Sequence, residues 1–538
     1  MLGSTRSRLI TSIRSISLNQ IHCPALAAPL ALALNFQRSA LNLLVQQQEV
    51  LLPFAKIHPT FSNKVTNTFP NGDLIIGIFV YDLAIVQRHS HLPTRTAAMA
   101  DQSVFRITKE LSDLQKNSDL SLAVAVKDID VRNLKAMIIG PHETPYEFGF
   151  FEFQFKFNKE YPRKSPCVTA TTTNGGRCRF NPNIYANGKV CLTWRGERGE
   201  EWSAAQGLES ILLSIQSLMS ANPYENEPGF EDANEASDKN NQSEYVQKIR
   251  HETLRISVVQ RLEEYLNIGY DGSVIVPGSS EDDYELDMDI IDDESVPFEP
   301  FKDLCKRRFL WYYESYLAAI EKAKTEVKDG QSFTRMPFEG TSNTMEGRFN
   351  YTDLERRIRN IKTVLDQETE NWAKEGLEAK AKESTVAVNL QRQYEQVVES
   401  FKGCDLPHNL ELQDGNPFVW ILTYFGKPMT NLDGGLFRLR LHFSPRFPDE
   451  QPRLKFETRL FHHRIAPDGT PCYFAPRHRQ EDAKSHIEAV VEALEEEHPP
   501  YDPRTLVNPE AFKLYWGGAD DRKIYNRRLR RSVQQSME

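Results

Sequence analysis

From residue 103 onward the apolar positions recur with regular spacing. Val104, Ile107, Leu111 and Leu114 lie three or four residues apart and predict a helix. Strand-like stretches follow at 122–126, 136–139, 150–157 and 167–172, the third placing Phe151, Phe153, Phe155 and Phe157 on alternate positions. An irregular Gly- and Asn-rich segment leads to an apolar-striped helix over 208–219. Helix, antiparallel meander, irregular segment and helix together make an α+β unit. A second such unit opens with Leu390, Tyr394, Val397 and Phe401 as its helix stripe, then strand-like 418–424 and 436–443. Residues 241–387 between them read as mostly helical. Cys305, Phe309, Tyr312, Tyr316 and Ile320 form one stripe, and Tyr351, Leu354, Ile358, Ile361 and Leu365 another, both expected to pack a core. The acidic run 281–294, with nine Asp/Glu, reads as a solvated linker.

The two α+β units are copies of one pattern. Gly149-x11-Tyr161-Pro162-x3-Pro166 in the first matches Gly435-x11-Phe447-Pro448-x3-Pro452 in the second. Ile184-x3-Gly188-x2-Cys191 matches Ile465-x3-Gly469-x2-Cys472. Two separated clusters with the same residue types at the same offsets identify an internal repeat, each copy carrying one cysteine at the same place.

At 538 residues the chain is long enough for roughly three or four folding units at about 150 residues each. Its 40% hydrophobic and 26% charged content excludes a wholly disordered chain. No apolar run reaches the length of a membrane span, which argues against a membrane partner. A net charge of −10 argues against nucleic acid as a partner, and it is unevenly spread. Residues 1–98 hold eight Lys/Arg against three Asp/Glu, so everything after them is strongly acidic. That segment reads as an unfolded or targeting-like tail, or as an extension upstream of a start at Met99; cytoplasm and nucleus are the expected compartments, with mitochondrial targeting by 1–98 as the alternative. Seven cysteines, odd in number and without a C-x-x-C pair, point to free thiols and to no metal site.

Further motifs carry a family resemblance. Gly140-Pro141-x2-Thr144-Pro145-Tyr146-x2-Gly149 is followed by the Tyr161-Pro162 corner, Asn181-Pro182-Asn183-x7-Cys191-Leu192, Trp202-Ser203-Ala204-Ala205 and Ile215-Gln216-Ser217-Leu218. In this order they resemble the core domain of ubiquitin-conjugating enzymes. Asn181 in place of the family's usual His, the long spacing from Cys191 to Trp202, and Asn222-Pro223-Tyr224-Glu225-Asn226-Glu227-Pro228-Gly229-Phe230 are similar to the Z type. The resemblance implies four parts: a tail at 1–98, a catalytic core at 99–240, a helical extension at 241–387 with its acidic linker, and a second, degenerate core at 388–538. The fold class is then α+β, with two ubiquitin-conjugating cores joined by a helical extension.

The resemblance makes Cys191 the nucleophile that takes ubiquitin or a ubiquitin-like modifier as a thioester, chemistry that suits a sulfur nucleophile whose product stays reactive to amines. Asn183 matches the residue that steadies this segment and donates to the oxyanion. Glu227, or Glu225 beside it, stands where an acidic residue orients the acceptor lysine. Arg106, Lys109 and Glu110 fall on the surface that meets the activating enzyme. Arg163 and Ala204 replace the residues that ligases normally read. In the second copy Cys472 is a second candidate thiol, but His462-His463-Arg464 replaces Asn-Pro-Asn and Gln480 stands where Trp is expected. The implied partners are the modifier, an activating enzyme, a ligase and protein substrates. No cofactor is implied for this chain, since the activating enzyme consumes the ATP. The rival reading is a non-catalytic regulator that binds ubiquitin or a ligase with the same fold.

Overall fold

The first strands form because β-branched and aromatic residues alternate between polar turns. In the computed structural model, β1 (Leu122–Lys127), β2 (Asp130–Ile139), β3 (Phe150–Lys156) and β4 (Cys167–Ala170) pair in sequence order as an antiparallel sheet. The structure describes residues 95–116, 120–127, 130–192, 202–232, 234–275, 298–340, 345–403 and 408–538, and of 95–101 only the backbone. Most of the tail, the acidic run 281–294, Cys23 and Cys404 lie outside the described residues.

Helix α1 (Arg95–Lys116) carries the expected stripe, with Ile107, Leu111 and Leu114 buried against one face of the sheet. Phe151, Phe153 and Phe155 point to that face, where α2 (Leu208–Leu218) inserts Leu208, Ile211, Leu212 and Ile215. The opposite face is buried too. Met137, Ile139 and Phe150 pack there against a helical run made of α3 (Ala236–Glu252), a π-helical stretch (Thr253–Gln260) and α4 (Arg261–Leu266), and against α5 (Lys302–Glu326). Glu152, buried on this face, accepts from the Tyr265 hydroxyl at 3.0 Å and pairs with Arg261 at 3.0 Å.

The second copy repeats the plan. After α6 (Tyr351–Ala381) and α7 (Thr385–Phe401), strands β5 (Asn409–Leu412), β6 (Val419–Phe425), β7 (Leu436–His442) and β8 (Arg453–Phe456) form the same antiparallel meander. Then come α8 (Ala483–Glu495), α9 (Pro509–Trp516) and α10 (Ala519–Gln535). Asn508 caps α9 by accepting from the Ala511 N–H at 3.1 Å, as Asn-Pro at a helix start favours.

Helices run across all three expected boundaries: α1 covers 98/99, α3 covers 240/241 and α7 covers 387/388. At 31 residues α6 is about 46 Å long, and it uses its two halves differently. Tyr351 to Leu365 join the extension's core. Further along, Gly376 lies so close to Phe418 that a Cβ there would come within 2.6 Å of the ring, and the Asn416 amide donates to Ala373 O at 2.8 Å. Among the described residues no helix is long and apolar enough to cross a membrane.

Candidate active site

The segment before Cys191 is shaped by two side chains acting on backbone. Asn181, fully buried, accepts the Asn183 N–H on Oδ1 at 2.9 Å. Its amide nitrogen donates to the Tyr146 hydroxyl at 3.0 Å and to Leu218 O at the end of α2 at 2.7 Å. A tight turn follows at Tyr185–Gly188, where Gly188 sits at φ +85° and a Cβ would meet Ala170 O at 2.6 Å. The chain then returns, and the Cys191 N–H donates to Asn183 O at 2.8 Å. Cys191 is thereby half-buried beside the Asn183 backbone. The Asn183 side chain is half-exposed and carries no hydrogen bond among the described residues, which leaves its amide available to a ligand.

Tyr185 and Arg179 also belong to this constellation, and spacing alone did not single them out. The Tyr185 phenol is pushed above its ordinary pKa by burial first, then by the neighbouring Cys191 thiol as a charge and hydrogen-bond partner. Arg179 stacks over the Tyr185 ring at 4.7 Å, donates to Pro182 O at 2.5 Å and pairs with Glu227 at 2.9 Å. Glu227 therefore faces a buried guanidinium and is not a free carboxylate, while Glu225 is exposed to solvent. The one local signal was an aromatic hydroxyl two residues after Asn183. Arg179 and Glu227 are too far apart in sequence for any pattern to join them.

The expected partner surfaces divide. Lys109 is exposed, but Glu110 turns inward, accepting from the Tyr161 hydroxyl at 2.6 Å and from the Leu208 N–H at the start of α2 at 3.0 Å. An acid at a helix N-terminus is a stabilising placement, which explains the orientation. Arg106 is half-buried against Glu110. Arg163 and Ala204 are both exposed, on segments tied by the Trp202 indole N–H donating to Pro162 O at 2.7 Å.

The second copy reproduces the backbone and replaces the chemistry. The Cys472 N–H donates to Arg464 O at 2.7 Å, Gly469 has φ +92°, and His462 Nδ1 accepts the Arg464 N–H at 3.1 Å where Asn181 Oδ1 serves in the first copy. A ring nitrogen and an amide oxygen thus make the same turn, which is why Asn181 can stand in for the family's His. Ala466 occupies the place of Tyr185, and Arg464 that of Asn183. Cys472 itself is 0% exposed, with the Arg464 guanidinium 3.9 Å from its Sγ. It lies in one apolar cluster with Tyr312 and Trp311 of α5, so forming a thioester there requires its burial to be undone. Burial pushes this thiol up, opposed by the Arg464 and Arg308 guanidiniums.

Two antiparallel meanders with flanking helices, each holding a cysteine after the same turn, define the class. The family profile "Ubiquitin-conjugating enzyme" matches residues 106–253 and 389–532, together more than half of the chain, and the chain belongs to that family. Ubiquitin-conjugating enzyme E2 Z of Xenopus tropicalis is 45% identical over 165 residues, 30% of this chain and 52% of the relative. The human protein of that name is 34% identical over 260 residues (48% and 62%), and the Danio rerio protein 36% over 267 residues (49% and 70%). The chain thus spans about half to two thirds of the length of these relatives.

Proposed function

We propose that this chain is a ubiquitin-conjugating transferase that carries ubiquitin or a ubiquitin-like modifier as a thioester on Cys191. The Cys191 thiolate attacks the thioester carbonyl on the activating enzyme, and that enzyme's cysteine leaves as thiolate. A lysine amine of the substrate, or a ligase cysteine, then attacks the new thioester and Cys191 leaves. The Asn183 amide donates to the oxyanion formed when the amine attacks. Tyr185 lines the approach of the incoming amine. Glu227 acts through Arg179, holding the guanidinium over the Tyr185 ring. The observation that carries this reading is the half-exposed Cys191 held by Asn183 O beside an unengaged Asn183 amide and the Tyr185 phenol. The second core serves as a scaffold, a role supported by the burial of Cys472 in a cluster shared with α5.

The deciding experiment incubates the full chain with activating enzyme, ATP and ubiquitin, or the same with a ubiquitin-like modifier. A thiol-sensitive adduct on a non-reducing gel is expected, absent in Cys191→Ala and unchanged in Cys472→Ala. No adduct with either modifier would sink the enzymatic reading in favour of a binding regulator. An adduct that survives Cys191→Ala would move the site to the second core.

A further inference from the structure

Helix α10 divides its surface by charge. Tyr525, Leu529, Ser532 and Val533 are buried on one side, while Lys523, Arg527, Arg530 and Arg531 stand exposed on the other. At 3.6 residues per turn these four cations and Gln534 fall on one stripe, about 16 Å long. The helix holds six Lys/Arg against two Asp/Glu, in a chain whose net charge is −10. Three of the six cations have partners nearby. Arg522 lies over the Tyr515 ring and donates to Tyr515 O at 2.7 Å, and Arg528 pairs with Glu510. Lys523 reaches Asp520 at 3.0 Å, a pair open to solvent and therefore weak. Arg527, Arg530 and Arg531 have no anionic partner among the described residues. Like charges three and four residues apart weaken a helix, so a stripe of them needs a reason.

A groove of about 540 Å³ follows the stripe, lined by the four cations, Asn526 and Gln534 and by no acidic residue. The acids nearest in sequence do not neutralise it. Asp521 accepts the Gly518 N–H at 3.3 Å, and Glu538 is exposed beyond the end of the helix. Successive cations step along the axis by roughly 5–6 Å. Acids on alternate residues of an extended peptide step by roughly 6.4–6.8 Å, nearly the same interval. Guanidinium forks pair with carboxylates in bidentate fashion, and the Asn526 and Gln534 amides suit a peptide backbone. Nucleic acid fits less well. The groove holds no aromatic ring on which a base could stack, and the net charge of −10 repels a long polyanion. A short peptide feels mainly the local field. We infer that α10 docks an Asp/Glu-rich segment of a partner protein, extended along the stripe with its carboxylates on Arg527, Arg530 and Arg531. The second core would then hold a partner as well as buttress the first.

The test titrates the full chain into a fluorescent peptide of alternating Glu and Ser and reads anisotropy. Its Gln-for-Glu counterpart, a short DNA duplex and phosphatidylserine vesicles are the comparison probes. The acidic peptide is expected to bind more tightly than all three, and about tenfold more weakly when salt rises from about 0.05 to about 0.3 M. Arg527→Glu/Arg530→Glu should weaken binding by about tenfold or more with Tm unchanged, since both side chains are exposed. Arg527→Gln/Arg530→Gln should give a smaller loss in the same direction, and it decides the matter if the charge reversal disturbs folding. Lys159→Glu/Lys382→Glu, exposed cations outside α10, should leave the titration unchanged. No binding of the acidic peptide, equal binding of the Gln peptide, or equal binding by both α10 variants would each overturn the inference. Tighter binding of the duplex or the vesicles would give the stripe to a nucleic acid or a membrane instead. Binding seen only after the acids of 281–294 are replaced by Asn and Gln would give it to the chain's own acidic run, and would overturn the inference too.

Discussion

At the scale of single residues, the two copies of one turn show which atoms make structure and which are left over for chemistry. Asn181 and His462 close the same backbone bond with different acceptors, so neither is expected to be chemically essential. Asn183, Tyr185 and Cys191 have Arg464, Ala466 and Cys472 as counterparts. Asn183→Ala should accept modifier normally but discharge it to free lysine about a hundredfold more slowly, read as loss of the thioester band with time. Tyr185→Phe keeps the ring under Arg179 and loses only the hydroxyl, so discharge should slow by about tenfold with Tm unchanged. Equal discharge by Tyr185→Phe and wild type would remove Tyr185 from the mechanism. Cys191 and Asn183 were legible in the sequence because both sit inside one short motif. The Arg179–Tyr185–Glu227 group was not, because it is assembled from a loop, a turn and a segment beyond α2.

At the scale of elements, the extension helices are what join the copies. Gly376 is the point where α6 meets Phe418. Gly376→Ala gains about 1 kcal/mol of helix propensity but drives a Cβ into a fully buried ring, so a net loss of about 1–3 kcal/mol is expected in denaturant melts. The second core also holds several buried histidines neutral. Burial pushes His442 and His486 down to about 4 and His462 to about 3, the last with help from the Arg464 guanidinium. Unfolded, each titrates near 6.5, so between about pH 6.5 and 4 the unfolded chain binds more protons than the folded one. Stability should therefore be full above pH 6.5 and fall as pH drops through that window. His142 in the first core runs the other way, raised by its hydrogen bond to Glu147. Acidification should thus loosen β6 and β7 before β2 and β3, which hydrogen exchange at pH 7.5 and 5 can resolve by mass spectrometry. The reverse order would show that these histidines do not govern acid stability. The helices themselves were written in the apolar stripes, whereas their ends were not, since polar turns leave no period to read.

At the scale of the whole molecule, α5 is shared property. One side packs on Met137 and Phe150 of the first sheet, and Tyr312 donates to Arg504 O of the second core at 2.9 Å. Asp303–Arg453 at 2.7 Å and Lys362–Asp468 at 3.0 Å fasten the same junction. A chain ending at residue 381 would bare Trp311, Tyr312 and Trp372 together. It should self-associate in light scattering while still charging at Cys191, since Arg179, Asn183, Tyr185 and Glu227 all lie in the first copy. A monomeric, equally stable truncation would mean that the junction contributes little. A chain beginning at residue 95, where α1 begins, should charge as the full chain does; loss of charging with folding intact would give the tail a role.

By itself the sequence determined the repeat, the α+β class, the family and the two thiol positions, because each rests on residue types at short, fixed offsets. It also announced α5 and α6 as apolar-striped helices, but not which surfaces those stripes would cover. Only the tertiary structure decided that Cys472 is buried in a cluster shared with α5 while Cys191 is half-open, and that Glu110 and Glu227 are bound inward. Burial and pairing depend on contacts between residues about fifty to well over a hundred positions apart, and no local period or spacing carries that information.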